Sequence, residues 1–148
     1  MPLQFEWDDE KNRINIEKHG ISFETAMYIF NDERRIEIYD AEHSIEEDRY
    51  NTIGMVDDVL FVVYTERRER IRLISARVAN SLERGVYIMI KTASLDKNQM
   101  PKQEQIEEVR EAVKRPIVYD EDSPEMTPAM EKAFRLAAMN RNRYLGIL

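Results

Sequence analysis

The sequence predicts an α+β fold in which two short N-terminal helices pack on a four-stranded antiparallel sheet, followed by a linker and two C-terminal helices. Three observations carry this expectation. Apolar residues recur at helical spacing up to about residue 30. Four runs rich in β-branched and aromatic residues follow between residues 35 and 75, separated by short turns. After residue 90 the texture turns charged and amphipathic, with little to bury on its own. With 148 residues, 43% hydrophobic and 34% charged, the chain holds enough apolar matter for one modest core.

Taken in order, Phe5, Glu6 and Trp7 form a brief apolar opening, and Asp8 or Asp9 offers an N-cap to a helix carrying Ile14 and Ile16. That helix should stop at His19-Gly20, where glycine accepts the left-handed turn. Ser22, with Glu24 and Thr25 behind it, opens a second helix whose Phe23, Ala26, Met27 and Phe30 share a face. Two such helices in succession are expected to pack as a hairpin. Strands are expected at 35–40, 49–55, 59–65 and 70–75, the last three forming an antiparallel meander because the turns at 56–58 and 66–69 are short. Alternation in the last strand separates Ile71 and Leu73 from Arg70 and Arg72, predicting one apolar and one basic sheet face. Residues 76–87 read as a helix leaving the sheet.

Residues 91–102 read as a linker, dividing the chain into a domain at 1–90 and a helical extension at 91–148. Ile106, Val109 and Val113 line a helix at 102–114, which Pro116 ends. An extended acidic stretch, 117–128, leads to Thr127-Pro128, the N-cap and first turn of a last helix bearing Met130, Phe134 and Ala137 or Ala138. These helices need a partner surface, either the first domain or a second copy in a homodimer.

Composition excludes several function classes. Without cysteine, the chain has neither disulfides nor thiolate metal sites, and two histidines make a multi-histidine metal centre unexpected. No metal or cofactor is therefore predicted. The absence of a long apolar run or a basic leader predicts a cytoplasmic protein with no membrane partner. Net charge is −7, yet six arginines stand between residues 67 and 84 against two glutamates, while eight acids crowd 104–125. Local potential decides binding, so the arginine stripe is a candidate phosphate surface that the acidic half is able to cover.

Several elements, in one order, carry a resemblance. They are FEWDDEK at 5–11, KHGISFETA at 18–26, Asp40 with His43-Ser44, Glu47 with Arg49, Ile53-Gly54, VVYTERR at 62–68, IRLISAR at 71–77, and Glu83-Arg84 with Tyr87. Residues 5–87 thereby resemble the BrnT toxins of bacterial type II toxin–antitoxin systems. The resemblance implies a RelE-like fold and an RNA endonuclease that inhibits translation and is neutralised by a BrnA-type antitoxin. Residues 115–127 resemble the toxin-binding segment of such antitoxins, so the chain's own extension is expected to attenuate it. The tail is too short for a ribbon-helix-helix unit, which argues against direct DNA binding.

RNA cleavage without a metal needs a base for the 2′-hydroxyl, an acid for the leaving 5′-oxygen, and positive charge for the phosphorane. Arg67, Arg72 and Arg77 are the leading candidates for that charge, since a guanidinium grips phosphate through two hydrogen bonds. Arg70 and Arg49 come next, with Lys18 as a further RNA-binding cation. His19 titrates near neutrality, although Lys18-His19-Gly20 is also how a helix C-terminus is built. His43 is a comparable candidate. Glu47 is a candidate base, or else a salt-bridge partner of Arg49 or Arg72. Tyr64 would stack a base or pack as a half-buried strand residue. Tyr119, Asp120, Glu121 and Asp122 form the expected inhibitory segment, imitating phosphates over the arginines. The alternative is a degenerate, non-catalytic toxin domain that serves as an interaction or oligomerisation module.

Overall fold

The computed structural model describes residues 2–88 and 100–144. Most of the linker expected at 91–102 lies outside them. The order is β1 (Phe5–Glu6), α1 (Asp9–His19), α2 (Phe23–Ala26) with a 3-10 turn (Met27–Asn31), β2 (Ile36–Tyr39), β3 (Tyr50–Val56), β4 (Asp58–Arg67), β5 (Arg70–Val78), α3 (Ser81–Ile88), α4 (Gln103–Val113) and α5 (Pro128–Tyr144). The α+β class holds, but the sheet is five-stranded and mixed, in the order β1-β5-β4-β3-β2. The meander β2 to β5 is antiparallel as expected, whereas β1 joins parallel to β5 through Phe5 with Ile71 and Glu6 with Arg72. A two-residue strand has no periodicity to read, and its pairing partner lies far along the chain.

Beyond β1 a side chain takes over the ladder. Asn15 donates to the Ala76 carbonyl at 2.8 Å and accepts from the Ala76 N–H at 3.1 Å, as a neighbouring strand would. Helix α1 therefore docks through a polar face: Asn12, Asn15 and His19 are buried, while Ile16 is largely exposed, against the expectation from Ile14 and Ile16. Asp8 caps its start and Gly20, at φ 75°, closes its end by donating to the Ile16 carbonyl at 2.9 Å. Asn12 ties α1 to α2, accepting from the Phe23 N–H at 2.9 Å and donating to Glu24 at 2.6 Å. What was expected as a second helix is one α-turn followed by the 3-10 turn.

Strand β5 runs three residues further than expected, since Ala76, Arg77 and Val78 pair with Val62, Phe61 and Leu60. The following helix starts only at Ser81. A register shift, Val63 to Ser75 but Tyr64 to Leu73, makes Ile74 the extra residue of a bulge. The β4–β5 hairpin turns on Arg68 and Glu69, both left-handed at φ 49° and 67°. Such a two-residue turn suits the sheet twist but is usually given to Asn-Gly.

Both sheet faces are apolar over most of their area, correcting the picture of one apolar and one basic face. Leu60, Val62, Ala76 and Val78 face Phe23 and Ala26 of α2 and Val109 and Ala112 of α4. Ile36, Ile53, Phe61 and Val63 face Val86 of α3 and Met130, Phe134 and Ala138 of α5. The alternation in β5 was a poor guide to its neighbours, because central strands covered on both sides read as continuous apolar runs. Phe134 is fully buried, its ring 6.3 Å from that of Phe61. Among the described residues no helix is long and apolar enough to cross a membrane.

Truncating Phe134 to alanine should destabilise the protein by about 3–5 kcal/mol in urea denaturation, a cost that an undocked α5 would not produce. At Gly54 an added Cβ would lie 2.5 Å from Ile29 Cγ1 and 3.0 Å from Arg35 Cβ. Gly54→Ala should consequently lower stability by about 1–3 kcal/mol in the same assay.

Candidate functional site

The polar part of the sheet lies at one end of the face that carries α5. Asn51, Val63 and Ser75 are successive cross-strand partners there, and Arg77 follows two residues along β5. Helix α1 brings Lys11, Lys18 and His19 to the same place; with Ser75, Asp120 and Asp122 they line a cavity of about 190 Å³.

The segment joining α4 to α5 crosses this surface and sets an oxygen against each cation. Asp120 accepts from Lys18 at 2.9 Å and lies 3.8 Å from His19 Nε2. Asp122 meets Arg49 at 3.1 Å and Lys11 at 4.0 Å. The Pro124 carbonyl accepts from Arg77 at 2.8 Å, and the Tyr119 ring lies 4.9 Å from its guanidinium carbon. Tyr119 is held from below by Asn80, which donates to its hydroxyl at 3.0 Å. The tip is pre-shaped by Asp120 itself, which accepts from the N–H groups of Asp122 and Ser123 at 3.0 and 2.9 Å. Exposed ion pairs of this kind are individually weak.

Five buried side-chain atoms lack a hydrogen-bond partner among the described residues: His19 Nδ1, Asn51 Oδ1, Ser75 Oγ, Arg77 Nε and Ser123 Oγ. All five belong to this surface or to the segment over it. Buried polar atoms are nearly always satisfied, so the convergence of four of them on this face, with the fifth on the segment above, makes it the candidate site.

Beside it opens a groove of about 450 Å³ lined by His43, Ile45, Glu46, Glu47, Arg49, Glu121 and Asp122. His43 Nδ1 lies 2.9 Å from the carboxylate of Asp40, which is buried and also accepts from Asn51 at 3.1 Å. This fixes the imidazole and directs Nε2 outward, the arrangement of an oriented acid–base histidine. Arg67 donates to Glu47 at 3.0 Å. The pairing of Asp40 with His43, three residues apart, was visible as a motif; the burial that makes Asp40 an orienting group was not.

Other candidates fall elsewhere. Arg77 is 1% exposed and grips Glu83 with both arms, at 2.7 and 2.8 Å, so it is a floor of the site and not an open phosphate clamp. Arg72 is committed to Glu6 at 3.1 Å on the sheet edge. Arg70 and Arg68 lie at the hairpin end of the sheet and are exposed. Tyr64 does not offer a surface to a base: it is buried on the opposite face, stacked on Tyr50 at 5.3 Å and bonded to Glu37. Burial, reinforced by Glu37, pushes its phenol far above the ordinary range, which also removes it as a proton donor. His19 fills the cavity wall, and burial lowers its pKa; Asp120 opposes this, while Arg77, Lys18 and Arg115 add to it. Burial tends to raise the Asp120 pKa, but the Lys18 and Ser123 hydrogen bonds and the charges of Lys18 and His19 hold it below the usual carboxylate value.

The sequence profile of the ribonuclease toxin BrnT, of type II toxin–antitoxin systems, matches residues 7–83. The chain belongs to the BrnT family. BrnT proteins are ribonuclease toxins that act on RNA and pair with an antitoxin. The match runs from just after β1 into α3, so α4, α5 and the crossing segment lie outside the BrnT region. The crystal structure of the Brucella abortus ribonuclease toxin BrnT is similar to this chain at 21% identity, covering 54% of this chain and 100% of that one, with a TM-score of 0.41. A search of curated proteins found no match.

His19 makes stability depend on pH. Its folded-state pKa lies below the ordinary 6.5, so between those two values the unfolded chain binds more protons than the folded one. Stability should therefore fall as pH drops from about 6.5 through the folded value, and His19→Gln should flatten that slope in urea titrations.

Proposed function

We propose that this BrnT-family chain is an RNA endonuclease that needs no metal, inhibits translation, and is attenuated by its own residues 119–124. One observation carries the reading. Lys11, Lys18, Arg49 and Arg77 each meet an oxygen of the crossing segment, above buried polar atoms that have no partner among the described residues. Phosphate oxygens would take the places of Asp120, Asp122 and the Pro124 carbonyl.

With the segment lifted, Lys11, Lys18 and Arg49 would hold the backbone phosphates, and Arg77 would regain the hydrogen-bond donor now given to Pro124. His43, oriented by Asp40, and Glu47 share the adjoining groove and divide proton removal and proton delivery between them. Arg49, the cation common to groove and polar face, would neutralise the charge that develops on the phosphorane. Arg67, donating to Glu47 at 3.0 Å, positions that carboxylate in the groove. The resting chain would thus be a complete site with its substrate surface occupied.

The test uses the full chain with Asp120→Ala and Asp122→Ala together. RNA cleavage should rise roughly ten-fold over the unaltered chain, as expected when two charge contacts are lost. In that background His43→Ala should lower the rate by about 10²–10⁴-fold, while EDTA leaves it unchanged. A folded, opened chain that binds RNA and leaves it intact would instead favour the non-catalytic interaction module.

A further inference from the structure

We propose that the extension is a permanent part of the fold and that the site opens by displacement of residues 118–125 alone, with α4 and α5 staying in place. The inference rests on the preceding reading for what the opening admits, but not for the opening itself.

The extension straddles the sheet. On one face, Val109 and Ala112 of α4 are buried among Leu60, Val62 and Ala76. Arg110 adds bonds to Asp57 at 3.0 and 3.3 Å, and Arg115 donates to the Glu17 carbonyl at 2.8 Å. On the other face, Met126, Met130, Phe134 and Ala138 lie in the core with Phe61 and Val63. The segment between these anchors is a strap fixed at both ends. Removing the whole extension would expose apolar surface on both faces of the sheet, a large cost that hydrophobic burial opposes.

The strap itself is held differently. Val118 is 44% exposed, and each of the strap's Lys11, Lys18 and Arg49 ion pairs has at least one partner side chain 42–52% exposed, so these pairs reach water and are screened by salt. Beneath it lie four buried polar atoms without a partner among the described residues, with a fifth, Ser123 Oγ, in the strap, and such atoms penalise the closed state. The strap is thus the least stable part of the extension, and a polyanion that supplies oxygens to the same cations competes with it directly. Its two anchors keep its local concentration high, so weak contacts suffice to keep it closed.

Hydrogen exchange on the full chain tests this, because the Asp120, Asp122 and Ser123 amides have defined acceptors within the strap. In the unaltered protein their exchange should be insensitive to low urea, while the amides of α4 and of 130–138 exchange only with global unfolding. The variant Lys18→Ala with Asp122→Ala keeps the Asp120 turn intact and should raise strap exchange roughly ten-fold, leaving α4 and α5 protected. A 2′-O-methyl RNA oligomer added to the unaltered chain should change the strap amides and no others. If the variant opens the strap while RNA does nothing, the local opening stands and the ribonuclease reading fails. Strap and α5 amides exchanging together, or strap exchange unmoved in both the variant and the urea series, would overturn the proposal.

Discussion

The buried guanidinium of Arg77 is the joint on which the structure depends. A charge at 1% exposure is tolerable only if it is well paired, and three elements besides its own strand supply that pairing to its two terminal nitrogens and its flat faces. Glu83 brings α3 against the end of β5, Phe61 of β4 offers its ring face at 4.3 Å, and Tyr119 and Pro124 bring the crossing segment down on top. Glu83 is itself held by the N–H of Asn80 at 2.8 Å, which sets where α3 begins. Sheet, helix and strap therefore share one electrostatic requirement. The strap contributes one hydrogen bond and the Tyr119 ring to Arg77, whose remaining hydrogen bonds go to Val78 of the sheet and Glu83 of α3, so the joint keeps its ion pair when the strap departs.

Much of the fold was legible because its boundaries are made by local chemistry. Asp8, Gly20, Ser22 and Thr127 cap helices where their side chains or backbone freedom demand it, and the meander follows from short turns between β-branched runs. What escaped was set by contacts distant in sequence. Nothing within α1 announces that Asn12 and Asn15 are its buried face, because their partners, Phe23 and Ala76, are supplied by other elements. The parallel pairing of Phe5 and Glu6 with β5 and the covering of the second sheet face by α5 belong to the same category.

The site shows a similar division. Residue types pointed to the candidate surface, since arginines, histidines and an opposing acidic run were all plain in the chain. Burial then sorted them. Arg77, His19 and Tyr64 carry the right groups but sit inside, whereas Arg49 and His43 reach a groove through the loop before β3. Sequence alone weighs an arginine by its charge; the structure weighs it by the partner already holding it, as Glu6 holds Arg72 and Glu47 holds Arg67.

One consequence follows from the strap's two anchors. A separate antitoxin can be diluted, outcompeted or destroyed, so a free toxin's activity reports the ratio of two gene products. Here the covering segment is made in the same act of synthesis as the surface it covers, at a stoichiometry that no change in gene dosage can alter. On the proposed reading, such a cover would be blind to an imbalance between two gene products and would answer only to the abundance of whatever competes for the covered face.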